Sequence, residues 1–249
     1  MEESKTWEAW NGGYVGICEE AVKNEETFKN FKRDRRYTNI VEHATYETAK
    51  VYYDTLVREN SPLLGHLKEF SENDTIGNSA IINDFNGIKM SNTTMGYVWY
   101  LHELLKNHDL NNMNILEIGG GYGGLCKTIS SYCNFKSYTI VDLYWPSRLA
   151  DKYLDTLGVQ NVETGTFDEI EEKKYDLVIS VYAFSELLDE TQKAYKKKFL
   201  NNCEHGYILS NHLDIKVSNV TDSDCKITKP IEEIPNLPGE HNIVLKIKW

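Results

Sequence analysis

The sequence lacks most of what marks secreted, membrane-embedded or polyanion-binding chains. Its five cysteines, Cys18, Cys126, Cys133, Cys203 and Cys225, form no CxxC pair and leave one over if paired. A disulfide framework and a cysteine metal site are therefore not indicated. Reduced thiols in a cytoplasmic protein, scattered through core and surface alike, are the simplest account. No stretch approaches the roughly 18 apolar residues that span a bilayer. Met1-Glu2-Glu3-Ser4-Lys5 also has no basic region followed by an apolar one, so neither a membrane partner nor secretion is expected. Positive charge is in deficit, with 27 Lys and Arg against 38 Asp and Glu and a formal charge of −11. That balance argues against nucleic acid as a partner, because polyanions attract basic surfaces. The dense basic run from Lys193 to Lys198 reads as the solvated face of a helix. Carboxylates are dispersed without ligand spacing, so no metal is expected. Repeats and low-complexity segments are absent.

What remains is an ordinary globular composition, 41% apolar and 26% charged over 249 residues, long enough to bury a substantial core. From Thr27 to about Asn60, Phe28, Phe31, Val41, Ala44, Tyr52, Leu56 and Val57 recur at helical intervals, and Ser61-Pro62 stops the pattern. Turn signals at Asn73-Asp74, Gly77-Asn78 and Asn86-Gly87 predict a loop and a small hairpin. Thr93 or Thr94 is placed to cap a helix carrying Met95, Val98, Trp99, Leu101, Leu104 and Leu105.

Beyond Asn107 the texture alternates. Strands are expected at Asn114 to Ile118, Ser137 to Leu143, Val162 to Thr164, Asp176 to Val181 and Tyr207 to Ser210. Helices are expected at Leu125 to Cys133, Leu149 to Leu157 and Glu190 to Leu200. This alternation predicts an α/β, Rossmann-like doubly wound, mostly parallel sheet with an N-terminal helical extension. Pro230, Pro235 and Pro238 forbid a regular helix near the end, and Ile243 to Trp249 alternates like a terminal strand. Residues 1–90 are read as a helical region and hairpin suited to a lid over an acceptor pocket, and 91–249 as the core.

The most informative stretch is Leu116-Glu117-Ile118-Gly119-Gly120-Gly121-Tyr122-Gly123-Gly124, a strand running into a glycine loop that opens a helix. Gly119, Gly121 and Gly124 also satisfy the dinucleotide pattern GxGxxG, with Asp142 about 20 residues onward as that pattern requires. The glycines alone do not choose between cofactors. Glu117 does discriminate, because a carboxylate at this strand end suits an ammonium or sulfonium and repels a pyrophosphate.

The string E-x-G-G-G-x-G followed by Tyr138-Thr139-Ile140-Val141-Asp142 resembles the first two motifs of the class I S-adenosylmethionine-dependent methyltransferases. The longer series EIGGGYGGLCKTI, YTIVDL and VISVYAFSELLDE is similar to a sugar O-methyltransferase family found in glycan-building gene sets. So are Glu72 to Asn78 and Ser91-Asn92-Thr93-Thr94, upstream of Tyr97. The likeness runs in order over about residues 70 to 212, departing at Ser79 and Asn92, where prolines are expected.

The resemblance implies S-adenosylmethionine as cofactor and S-adenosylhomocysteine as product. By it, Glu117 would lie near the methionine amino group, Gly119, Gly120, Gly121, Tyr122 and Gly123 would line the cofactor, and Asp142 would hold the ribose hydroxyls beside Leu143. Phe167 would stack on the adenine and Asp168 accept from its amino group, with Tyr182 completing the cofactor site. A sugar or glycan acceptor, a deoxyhexose such as rhamnose among the candidates, would meet Asp74, Ser185 and Asn211.

Methyl transfer to a hydroxyl is an in-line displacement that needs alignment and a base. The base is sought beyond the carboxyl ends of the strands, where His212 and Glu186 stand. His212 as base with Glu186 as orienting group, and the reverse, are both open. Two other readings predict different chemistry: a nicotinamide-dependent oxidoreductase of a nucleotide sugar, and a non-catalytic S-adenosylmethionine-binding module. The acceptor's identity and the oligomeric state are not legible.

Overall fold

The computed structural model describes residues 13–210, together with 219–220, 226–227, 232–233 and 243–248. The long amphipathic stretch predicted over Thr27 to Asn60 is broken by its own capping residues. Helix α1 spans Tyr14–Lys23 and α2 spans Glu25–Asn30, with Asn24 between them accepting a hydrogen bond from the Thr27 amide at 2.9 Å. Asp34 then caps a single turn, and Thr45 caps α3, Tyr46–Arg58, by accepting from the Thr48 amide. Each cap satisfies backbone donors that a helix start leaves free. Ser61-Pro62 ends the region as expected, Ser61 capping the next turn with proline in its first position.

Strands β1 (Ile82–Phe85) and β2 (Ile88–Ser91) form the predicted hairpin. Its turn residues, Asn86 and Gly87, both have positive φ, as a two-residue hairpin turn requires. Helix α4 covers Asn92–Leu105, and its cap is Ser91 rather than either threonine. The Ser91 hydroxyl accepts from the Thr94 amide at 3.0 Å.

The core sheet contains β3 (Asn114–Ile118), β4 (Ser137–Val141), β5 (Val162–Gly165), β6 (Tyr175–Val181), β7 (Cys203–Ser210) and β10 (Ile243–Lys248). Two short strands, β8 (Lys226–Ile227) and β9 (Glu232–Glu233), pair with β10. The order is β5-β4-β3-β6-β7-β10-β8. Strands β3 to β7 run parallel, and β10 is antiparallel to β7 from Ile243↔Ser210 to Lys248↔His205. This is a Rossmann-like, doubly wound, mostly parallel sheet with a helical segment ahead of it. Helices α5 (Gly124–Ser130) and α6 (Tyr144–Thr156) follow β3 and β4, while α7 (Ala183–Glu186) and α8 (Asp189–Lys198) follow β6. Helix α6 starts five residues before its predicted start, because Pro146 sits within the first turn, where no amide is needed.

Alternate strand residues feed two cores. Ile115, Leu177 and Ile179 join the larger, with α4, α5, α6 and the N-terminal helices; Leu116, Ile118 and Val178 join the smaller, with Phe184, Phe199 and Leu245. The four described cysteines are all free and buried, not divided between core and surface. The lysine run is not a uniformly solvated face either. Lys196 is buried, and the Lys198 ammonium bonds the Phe167 carbonyl and lies 4.7 Å from its ring centroid. Among the described residues, no helix is long and apolar enough to cross a membrane.

Candidate active site

In this sheet the chain turns in opposite directions from β3 and from β6, so ligands are accommodated outside the carboxyl ends of these two neighbours. The glycine loop leaves β3 here. Gly119 has φ +77, and a Cβ on it would fall 2.0 Å from the Ala183 Cβ, so the two strand ends approach as closely as backbone allows. Across the gap Tyr182, the residue after β6, has φ +65, a strained position for an aromatic residue, and its amide donates to the Leu209 carbonyl at 2.8 Å. Ser185, half-buried in α7, donates to the Tyr182 carbonyl, and Glu186 ends that helix.

Glu117 is 3% exposed, and its Oε2 accepts from the Tyr138 hydroxyl at 2.8 Å. Burial pushes its carboxyl up to about 7, the Tyr138 bond working against that and the Asp142 charge with it. Asp142 follows β4 directly. Its Oδ2 accepts from the Gly121 amide at 2.8 Å and its Oδ1 from the Leu143 amide at 2.7 Å, so the carboxylate fixes the top of the loop. Gly121, at φ +57, is the loop position left most open. The nearest atoms to where a Cβ would be, among the described residues, are the Tyr14 hydroxyl and the Val41 methyls, each 3.9 Å away. A Cβ on Gly120 would instead meet Ile140 at 2.6 Å, so that glycine serves packing on β4.

The N-terminal region reaches the loop from the Asp142 side. Helix α1 packs along α6, and the Asp142 charge acts on both Tyr14 and Cys18, adding to the burial that raises them. Nothing in the local sequence around Tyr14 or Val41 signals this long-range contact. Tyr122, expected to line a cofactor, is fully buried with its ring against Phe31, Tyr97 and Tyr153 and the Lys32 ammonium 4.0 Å from its centroid. It fastens the loop to the N-terminal region.

Other expected site residues lie elsewhere. Phe167 packs on Tyr195 and Phe199 in the smaller core, with ring centroids 4.8 and 5.6 Å away, so stacking on a base would require it to leave that cluster. Asp168 is exposed, and the turn it belongs to is closed by Thr166 and Glu169, which bond each other's amides. Asp74 accepts from the Ser91 amide at 2.7 Å and the Thr94 hydroxyl at 3.1 Å, tying the loop before the hairpin to the start of α4. His212 and Asn211 lie outside the described residues.

Away from the loop, Glu59, His102 and Glu103 bring ligand atoms within 4.8 Å of one another. The Lys106 ammonium pairs with both carboxylates, at 2.7 and 2.5 Å, and supplies the cation. A cleft of about 330 Å³ beside Lys127, Phe135 and Asn161 opens at the amino ends of the strands, the wrong end for a ligand of this fold.

No protein-family model matches the chain, and no curated protein sequence does. Among solved structures it is similar to M. capricolum TrmK in complex with its cofactor product S-adenosyl-homocysteine. Identity is 17% over 60% of this chain and 67% of that one, with a TM-score of 0.45. It is similar also to the B. subtilis tRNA methyltransferase TrmK, 11% identical over 59% and 64% with TM-score 0.47. A third is an rRNA methylase of Streptococcus thermophilus, 13% identical over 61% and 95% with TM-score 0.44. At these identities the likeness is one of fold. With RNA-modifying enzymes among these structures, the exclusion of nucleic acid drawn from net charge does not stand. Net charge averages over a whole surface, and a second basic run, Lys32-Arg33-Asp34-Arg35-Arg36, leaves Arg33 and Arg35 exposed on the N-terminal region.

Proposed function

We propose that the chain is an S-adenosylmethionine-dependent O-methyltransferase. The observation that carries this reading is the pairing of two acidic groups with one glycine loop, Glu117 buried beneath it and Asp142 holding its crown. A buried carboxylate is costly unless a cation compensates it, and a pyrophosphate would add a second negative charge to the same place. The set therefore fits a cationic nucleoside better than a nicotinamide dinucleotide. Bound there, the cofactor would supply a methyl group already activated by a sulfonium.

Asp142, at the carboxyl end of β4, would accept from the ribose hydroxyls while keeping the Gly121 and Leu143 amides in place. Gly121 and Gly119 would let the ligand approach the backbone. Tyr182, Ser185 and Glu186 bring polar groups to the far side of the β3–β6 gap, where the acceptor would enter. Glu186 is the base candidate within the described residues, and His212 remains the other. Either would take the hydroxyl proton as the oxygen–carbon bond forms.

The acceptor we assign is a sugar hydroxyl, on the ordered resemblance over about residues 70 to 212. The test is transfer of label from methyl-tritiated S-adenosylmethionine to parallel pools of sugars, nucleotide sugars, glycans and RNA. Label in a sugar-containing pool, lost in Asp142→Ala, is the expected result. Label in RNA alone would overturn the acceptor and keep the cofactor, and no label anywhere beside tight cofactor binding would mark a binding module.

A further inference from the structure

Asn73 has no part in the site described so far, yet it is fully buried and joins α5, α6 and the N-terminal region. It lies in the single turn Ser71–Asp74 that precedes the hairpin. Its Nδ2 donates to the Gly124 carbonyl at 3.0 Å and to the Thr128 hydroxyl at 2.8 Å. The Tyr153 hydroxyl is shared between its Oδ1, at 2.7 Å, and its backbone carbonyl, at 2.8 Å, and the Lys32 ammonium donates to that carbonyl at 2.6 Å. A carbonyl can only accept, so the side-chain amide has one orientation here, nitrogen toward α5 and oxygen toward α6. Its neighbours act in the same way. Glu72 pairs with Lys127 of α5 at 3.1 Å, and Asp74 holds the start of α4. Three consecutive residues therefore clamp the helix that leads into β3 and the helix that leaves the glycine loop.

The bond to Gly124 is not needed to satisfy that carbonyl, which already accepts from the Thr128 hydroxyl at 2.9 Å. What it adds is a fixed place. Gly124 has little room to move, since a Cβ on it would fall 2.4 Å from the Tyr97 ring and 2.6 Å from that of Tyr122. Just upstream, the Gly123 amide donates to the Gly120 carbonyl at 2.9 Å, and the Gly121 amide donates to Asp142 at 2.8 Å. A displacement of Gly124 is thus carried through a closed turn to the bond between Gly121 and Asp142. Buried polar networks whose members are all satisfied are rigid and specify one arrangement.

We propose that Asn73 is a positioning residue of the cofactor site, setting the glycine loop by holding Gly124, with Tyr153 and Lys32 keeping it in register. The proposal rests on the methyltransferase reading above.

The test exploits the direction of the Nδ2 bond. Asn73→Asp keeps the shape of the side chain and puts an oxygen where the donor was. Ionised, the introduced carboxyl has no proton for the Gly124 carbonyl and repels it; protonated, it supplies one O–H donor again. Burial raises its titration toward the working range. S-adenosylhomocysteine is titrated calorimetrically into wild type, Asn73→Asp and Asn73→Ala from pH 6 to pH 9, with folding checked by circular dichroism at each pH. Lys32, Tyr153, Asp74 and the Glu72–Lys127 pair stand around Asn73, and dividing each variant's affinity by that of the wild type at the same pH removes their titration and that of Glu117. The Asn73→Asp ratio should fall about tenfold as pH rises across this range, and the Asn73→Ala ratio should stay about tenfold below one throughout. A role in stability alone does not produce that pH dependence in folded protein. An Asn73→Asp ratio that does not change with pH, or binding by both variants within about twofold of the wild type, overturns the proposal. Should Asn73→Asp fail to fold, Tyr153→Phe, which removes the hydroxyl that orients the amide, is expected to weaken binding at least about threefold, and unchanged binding overturns the proposal. Absence of binding to the wild type would overturn the methyltransferase reading and this inference with it, which distinguishes the two failures.

Discussion

On the face of the sheet that carries Leu116, Ile118 and Val178, the hydrophobic cluster around Phe184 and Phe199 is accompanied by buried polar side chains that are mostly neutral and hydrogen-bonded, Ser180 to the Ile118 carbonyl and Gln192 to the Phe184 and Leu187 carbonyls, with Lys196 the buried charge. The layer on the opposite face buries Glu117, Lys32, Glu42 and Asn73 among Tyr122, Tyr138 and Tyr153. The difference is one of chemistry, since the residues named on either face are buried. The apolar face is what a stable α/β sheet needs. The other face accepts desolvated charge beside the glycine loop, and such a cost persists where a ligand or a reaction uses it. The comparison therefore assigns stability to one face and ligand recognition to the other.

The strongest way to break that division is Phe199→Ala. It empties a fully buried site in the apolar core and should lower stability by about 3–5 kcal/mol in urea unfolding, while S-adenosylhomocysteine affinity of the folded protein stays unchanged. Parallel loss of affinity would mean that the faces are not separable.

Glu117→Gln tests the other side through pH. The Glu117 carboxyl titrates near 7 when folded, against an ordinary value of 4.5. Below about pH 4 both folded and unfolded chains hold the proton. As pH rises through the unfolded value and on to 7, the unfolded chain releases its proton first, so the wild type loses stability and then levels off. The glutamine variant lacks this loss. It should gain on the wild type by as much as about 3 kcal/mol between pH 4 and pH 8, measured as the difference in unfolding free energy. A difference that does not change with pH would show that Glu117 carries no such cost.

The smallest effect expected is at Ser91→Ala, which removes the cap of α4 but no group of either carboxylate. About 1 kcal/mol of stability should be lost with binding intact, and thermal unfolding with and without ligand would detect any departure.

Locally encoded features could be read from the sequence. The Asn86-Gly87 hairpin, the strand into the glycine loop and the acidic end of β4 each declare themselves within a few residues, because turn chemistry and strand alternation are short-range. Capping residues were harder to place, since Ser91, Thr93 and Thr94 are adjacent and only the hydroxyl geometry separates them. What brings Tyr14, Val41 and Glu42 to Gly121 and Tyr122 is packing across some 80 to 107 residues of sequence, which leaves no periodic or motif signal. Phe167 shows the converse. Its position after β5 fits adenine contact, yet its ring is taken by Tyr195 and Phe199, a competition that position alone does not reveal.

The central claim is that the glycine loop with Asp142 and Glu117 selects a cationic adenosyl ligand. Calorimetric titration with S-adenosylhomocysteine beside NADH, repeated on Asp142→Ala, tests it most directly. The account predicts micromolar binding of S-adenosylhomocysteine, weakened by about thirtyfold or more in the variant as hydrogen bonds to a charged group are lost, with NADH not bound. NADH binding without S-adenosylhomocysteine binding would contradict it.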